Sequence, residues 1–160
     1  EWTRSQNPTQ PLTSGLWSSP IEPLPEDVPE LQLAGSDIVS FHHYGPPEDL
    51  LKMIGDLEEM TQRPLFCTEY LARQMKSLFQ THIPIFSERG IGAINWGLVS
   101  GRTQTICPWW SWFQDEAPTE PEIWFHDILR ADGTPFDPEE ESFLRDFLGG
   151  SNSNAGSTPS

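Results

Sequence analysis

Basic side chains are scarce in this chain. Nine Lys and Arg stand against 24 Asp and Glu, a formal net charge of −15 at neutral pH. Such an excess repels phosphate backbones and anionic lipid headgroups alike, so neither nucleic acid nor a membrane is expected as a partner. Long apolar runs are also lacking: none approaches the roughly 18 residues of a spanning helix, and no charged-apolar-small leader opens the chain. The first residue is Glu1 instead of Met, so an upstream segment is expected to have been removed or left out. Cysteine is nearly absent. Cys67 and Cys107 are too few for a disulfide framework and lack the close pairing of a metal knuckle. They read as buried free thiols, with a Cys67–Cys107 bridge as the alternative.

What is present is a repeat of short apolar runs: Leu12 to Trp17, Asp37 to His42, Pro64 to Glu69 and Gly92 to Trp96. Their starts fall 25, 27 and 28 residues apart, the length of a strand, a covering helix and two loops. The pattern predicts an α/β chain with a parallel sheet. Each run lacks polar alternation until its last residues, as in strands covered on both faces. A helix is predicted from Pro46-Pro47-Glu48-Asp49 to about Met60, with Leu50, Leu51, Ile54 and Leu57 on one face. A second is expected from Leu71 toward Arg89, stopping at Gly90 and kinked or split at Pro84. A third begins at Asp137-Pro138-Glu139-Glu140, where Asp137 caps and Glu140 completes a capping box. Phe143, Leu144, Phe147 and Leu148 form its buried face, and Gly149 ends it. Between Ser18 and Gly35, four prolines leave room only for a short helix near Glu30 to Leu33.

Chemistry concentrates at the ends of the runs. Glu69 closes the third and Trp96 the fourth, so neighbouring strand ends offer a carboxylate and a flat aromatic face. That combination suits a sugar, which needs a nucleophile below its anomeric carbon and a surface to lie against. His42 and Tyr44 follow the second run. His42 and His43 make a poor metal motif, because adjacent strand residues point to opposite faces. No metal site and no cofactor are expected.

Three short motifs carry a family resemblance: Ser40-Phe41-His42-His43-Tyr44-Gly45, then Cys67-Thr68-Glu69-Tyr70, then Asn95-Trp96-Gly97. In order and spacing, residues 12–148 resemble the C-terminal half of a retaining (β/α)8 glycoside hydrolase of clan A, cellulase-like or xylanase-like. The resemblance implies about strands five to eight of a TIM barrel, an incomplete cylinder, since a whole one takes about 250 residues. It implies Glu69 as nucleophile, Tyr44 as the hydroxyl that orients it, and Trp96 and His42 as sugar contacts. Trp17, at the end of the first run, and Gln104 and Trp109, beyond the fourth, are further substrate-binding candidates. The clan's acid/base is a Glu after Asn at the end of strand four, and no Asn-Glu pair occurs in this chain. The expected partners are therefore a poly- or oligosaccharide and the missing N-terminal half of the barrel. Such a substrate leans toward a secreted or periplasmic location.

The organisation expected is a half-barrel over residues 1–149, with a Trp-rich insertion at 98–136 and a disordered Gly/Ser/Asn tail at 150–160. Trp109, Trp110 and Trp112 read either as a sugar-stacking rim or as the interior of a large loop. Two other functions stand beside hydrolysis. One is a non-catalytic carbohydrate-binding or interaction module using the Trp cluster; the other is a small α/β domain with no role toward sugars.

Overall fold

The computed structural model describes residues 2–16 and 27–151. In chain order these are α1 (Trp2–Ser5), α2 (Asp27–Gly35), β1 (Val39–His42), α3 (Pro47–Met60), β2 (Leu65–Glu69), a 3-10 turn (Arg73–Met75), α4 (Phe79–Glu88), β3 (Gly92–Ala93), a second 3-10 turn (Trp109–Phe113) and α5 (Pro138–Ser151). The fold is α/β. Its sheet has three parallel strands in the order β1-β2-β3.

The first apolar run does not form a full strand. Its described part makes one parallel bridge, Leu16 to Phe41, in which the Leu16 amide donates to Ser40 O at 2.8 Å. Beside it Thr13 and Ser40 share a hydroxyl hydrogen bond of 2.7 Å. The chain at 12–16 thus lies along β1 in the parallel sense expected. β3 is also brief, but its path beside β2 continues: Ile94 N donates to Cys67 O and Trp96 N to Tyr70 O, both at 2.8 Å.

Alternation along the strands sorts side chains between two faces. Val39, Phe41 and Cys67 point to the helices and meet Leu50, Ile54 and Leu57 of α3, Phe79 and Phe86 of α4, and Phe143 and Leu144 of α5. Ser40, Phe66 and Thr68 alternate with them and belong to neither hydrophobic cluster. On that second face a Cβ added at Gly92 would come within 2.4 Å of the Phe66 ring, so glycine lets the ring lie across β3. Helices cover one face of this sheet, where the unbroken apolar runs predicted cover on both.

α3 forms as predicted, with Pro46 at the N-cap, Pro47 in the first turn, and Glu48 and Asp49 at the positive end of its dipole. Leu51, expected on its buried face, is exposed, because it lies at the edge of the stripe set by Leu50, Ile54 and Leu57. The next helix starts eight residues later than predicted. Leu71 and Lys76 adopt positive φ of 80° and 65°, and Ala72 and Ser77 exchange backbone hydrogen bonds of 3.0 and 3.2 Å across the turn. Left-handed residues cannot propagate a right-handed helix. α4 then runs continuously through Pro84. In α5, Asp137 caps by accepting from Glu139 N at 2.8 Å, but Glu140 turns away from any capping box toward Arg73. Leu148 is exposed, and the helix passes Gly149 to end at Ser151. Within the tail only Gly150 and Ser151 are described; 152–160 lie outside the described residues. Both cysteines are free and buried. Among the described residues no helix is long and apolar enough to cross a membrane.

Candidate active site

Glu69 ends β2, and the parallel register sets it opposite His42 at the end of β1. The sheet irregularity between Phe41 and His42 occurs at this point. Two residues on, Tyr44 packs into a small buried cluster with Ala72 and Phe125, leaving its hydroxyl aimed at the strand end. The Tyr44 hydroxyl donates to Glu69 Oε2 at 2.6 Å, and His42 Nδ1 lies 3.1 Å from the same oxygen. Among the described residues no hydrogen bond reaches Glu69 Oε1. One oxygen of the carboxylate is fixed and the other is left for a ligand.

Burial raises the Tyr44 phenol well above its ordinary value, and the neighbouring Glu69 charge adds to the effect. Tyr44 is therefore a proton-bearing donor at every ordinary pH. A short hydrogen bond from such a donor restricts the orientation of the carboxylate.

His42, Tyr44, Glu69, Trp96 and Trp109 line one pocket of about 340 Å³. Five of the seven predicted site residues are thus brought together. Trp96 reaches the pocket because the Asn95-Trp96-Gly97 turn is tightly held: Asn95 Nδ2 donates to Gly97 O at 2.6 Å, and Gly97 takes φ +84°. A Cβ at Gly97 would sit 2.7 Å from Asp127 Oδ1 and 2.9 Å from His126 Cβ, so only glycine fits. Gln104 does not join them. It occupies an exposed turn at φ 53°, its amide donating to Gly101 O, and is not among the residues lining the pocket. Trp17 lies outside the described residues.

The insertion supplies residues that the sequence did not single out. Phe125 N donates to Ile106 O at 2.8 Å, while Phe125 O accepts from Arg73 N at 3.0 Å. The insertion is thereby joined to the turn that follows Glu69. His126 sits behind the pocket, its ring 5.4 Å from Tyr44 and 5.6 Å from Trp109. His126 Nδ1 is 2.5 Å from Leu71 O, which requires the proton on that nitrogen. Burial lowers the pKa of this imidazole, keeping it neutral.

Arg73 anchors the same region. Its guanidinium forms a two-pronged pair with Glu140 of α5, at 2.8 and 2.6 Å, and donates to the carbonyls of Trp124 and His126 at 3.2 Å each. Both side chains are almost wholly buried. The acidic repeat at the start of α5 hid this partnership, because a capping box and a buried ion pair call for the same Glu. The aromatic run Trp124-Phe125-His126 was the available signal for the rest.

Among the described residues no group of three or more His, Cys, Asp or Glu side chains could hold a metal. The arrangement is suited to nucleophilic attack by an oriented carboxylate on a group lying between two indoles. No protein-family model, curated protein or solved structure matches this chain.

Proposed function

We propose that this chain is the nucleophile-bearing C-terminal half of a retaining (β/α)8 glycoside hydrolase, cellulase-like or xylanase-like, acting on O-glycosidic bonds of a β-linked poly- or oligosaccharide. One observation carries the reading. A carboxylate at the end of a parallel strand has one oxygen fixed by a buried phenol and opens into a pocket flanked by two indoles.

In the first step Glu69 Oε1 bonds to the anomeric carbon while the bond from that carbon to the leaving oxygen breaks, and that oxygen takes a proton from a carboxylic acid. In the second step water attacks the anomeric carbon and gives its proton to the conjugate base of that acid, and the ester to Glu69 breaks. Tyr44 holds the carboxylate in line, and His42 and Trp96 contact the sugar. Retention needs the two carboxyl groups about 5 to 5.5 Å apart. Glu69 is the one carboxylate among the described residues that line the pocket. The acid is therefore assigned to a separate N-terminal half, which also closes the cylinder.

The test follows from that assignment. A dinitrophenyl glycoside loses a stable phenolate and needs no proton from the protein, whereas a simple alkyl glycoside does. Across gluco-, xylo-, manno- and galacto-configured compounds, the chain is expected to release about one equivalent of dinitrophenolate from at least one, and nothing from the alkyl glycosides. Glu69→Gln should abolish the release. Release that survives this substitution, or none from any compound, rejects the assignment. Glycan binding without release dependent on Glu69 points instead to a carbohydrate-binding module, a reading favoured by the exposure of Trp110 and Trp112.

A further inference from the structure

The five residues Trp109 to Phe113 form a single 3-10 turn, and their aromatic rings are not equivalent. Trp109 and Trp110 both meet Phe125 edge to face, at 5.0 Å and 82° and at 5.3 Å and 79°. Phe125 is fully buried and tied by its backbone both to Ile106 and to Arg73, four residues beyond Glu69. One fixed ring thus braces two adjacent indoles and sets their position relative to Glu69. Both indoles nevertheless remain open to solvent, at 40% and 46% exposure. A core residue is braced and covered; a surface residue is exposed and loose. Rigid indoles left open are suited to binding, because a ligand then stacks without ordering the side chain first.

Continuity with the pocket identifies what lies there. Trp109 lines the Glu69 pocket, and Trp110, the next residue, packs on the same Phe125 ring. Among the described residues no Lys or Arg lines the pocket, and the chain carries −15 overall. Uronate or sulfated glycans would find charge repulsion and no counter-ion. A neutral pyranose chain, with alternating apolar C–H faces and hydroxyl rims, matches indole faces that continue beyond the pocket.

We infer that Trp110 forms an extension subsite, taking the next unit of a neutral oligosaccharide whose first unit lies over Glu69 between Trp96 and Trp109. This rests on the glycosidase reading and narrows its substrate to uncharged chains that reach past the first unit.

Calorimetric titration of the purified chain with cello-, xylo- and manno-oligosaccharides, from one to six units, tests it. In at least one series affinity should rise by about ten-fold between one unit and two or three, equivalent to about 1.4 kcal/mol. Trp110→Ala should remove that rise, Trp110→Phe should keep part of it, and Trp112→Ala should leave it intact. Oligogalacturonates should not bind. A length dependence unchanged in Trp110→Ala, an equal loss at every length, or no binding by any neutral sugar overturns the subsite. The two readings fail separately. Release that depends on Glu69 without an effect of Trp110 on length leaves the nucleophile standing alone; an effect of Trp110 on length without such release leaves only the platform.

Discussion

At the scale of single residues, the site depends on one hydrogen bond, from a buried phenol to a carboxylate. Tyr44 donates to Glu69 at 2.6 Å, and its phenol is held protonated by burial. Removing that donor leaves the ring's packing but loses a hydrogen bond to a charged group, worth about 1.5 to 3 kcal/mol. Tyr44→Phe is expected to slow dinitrophenolate release by roughly ten- to a hundred-fold while the chain stays folded. A rate within two-fold of the parent would show that the phenol does not position Glu69.

Buried histidines make a second prediction. Burial, reinforced by the neighbouring His82 and opposed by Asp49, pushes His43 down from 6.5 to about 4. His82 and His126 are lowered by the same cause. The unfolded chain takes up these protons near 6.5, whereas the folded chain resists them until lower pH, so the unfolded state binds more protons in between. Stability should therefore fall as pH drops from about 7 to about 4, by on the order of 3 kcal/mol from His43 alone, and His82 and His126 add to the fall. Urea unfolding across that range measures it; a flat profile would contradict the buried, neutral imidazoles.

At the scale of elements, much of the arrangement was legible because strand ends and helix starts have local signatures. Glu69, His42, Tyr44 and Trp96 could be named because a polar or aromatic residue that closes an apolar run has few structural uses there. α3 could be bounded at both ends from its prolines, early acids and apolar stripe. The segment from Leu71 to Leu78 could not. Its apolar spacing fits a helix, but the chain takes two left-handed residues, while Arg73 bonds to Glu140, 67 positions away. No local window contains that information. Gln104, expected as a sugar contact near the start of the insertion, lies on an exposed turn instead, because a place in the chain does not indicate the side of a turn that a residue takes.

The Arg73–Glu140 pair ties α5 to the turn after Glu69 and to the backbone of the insertion. Breaking one partner strands the other charge in the interior. Glu140→Ala should destabilise the chain by about 3 to 5 kcal/mol, and the double replacement Arg73→Met with Glu140→Leu by clearly less. Chemical denaturation of the three proteins decides this. Equal losses in the single and double variants would mean that packing of the aliphatic stems, and not the ion pair, accounts for the effect.

At the scale of the whole molecule, the sheet has helices on one face, and its outer positions belong to Leu16 and β3. Just beyond β3, Ile94, Leu98 and Val99 are exposed. Among the described residues β3 pairs with β2 alone, and a strand edge beside exposed apolar side chains favours pairing with another chain. In isolation the protein is expected to self-associate reversibly at roughly micromolar to millimolar concentration, as read by sedimentation equilibrium. A strictly monomeric chain throughout that range would show that these edges need no partner.

The most direct test of the central claim is covalent. A 2-deoxy-2-fluoro glycoside with a dinitrophenyl leaving group should trap the first intermediate, because the fluorine slows both steps while the activated leaving group restores only the first. Mass spectrometry of the digested chain should find a single glycosyl adduct, on the peptide that contains Glu69 and at that side chain, and none in Glu69→Gln. An adduct on any other carboxylate, or an unmodified Glu69 after prolonged exposure to the full panel of sugar configurations, would contradict it.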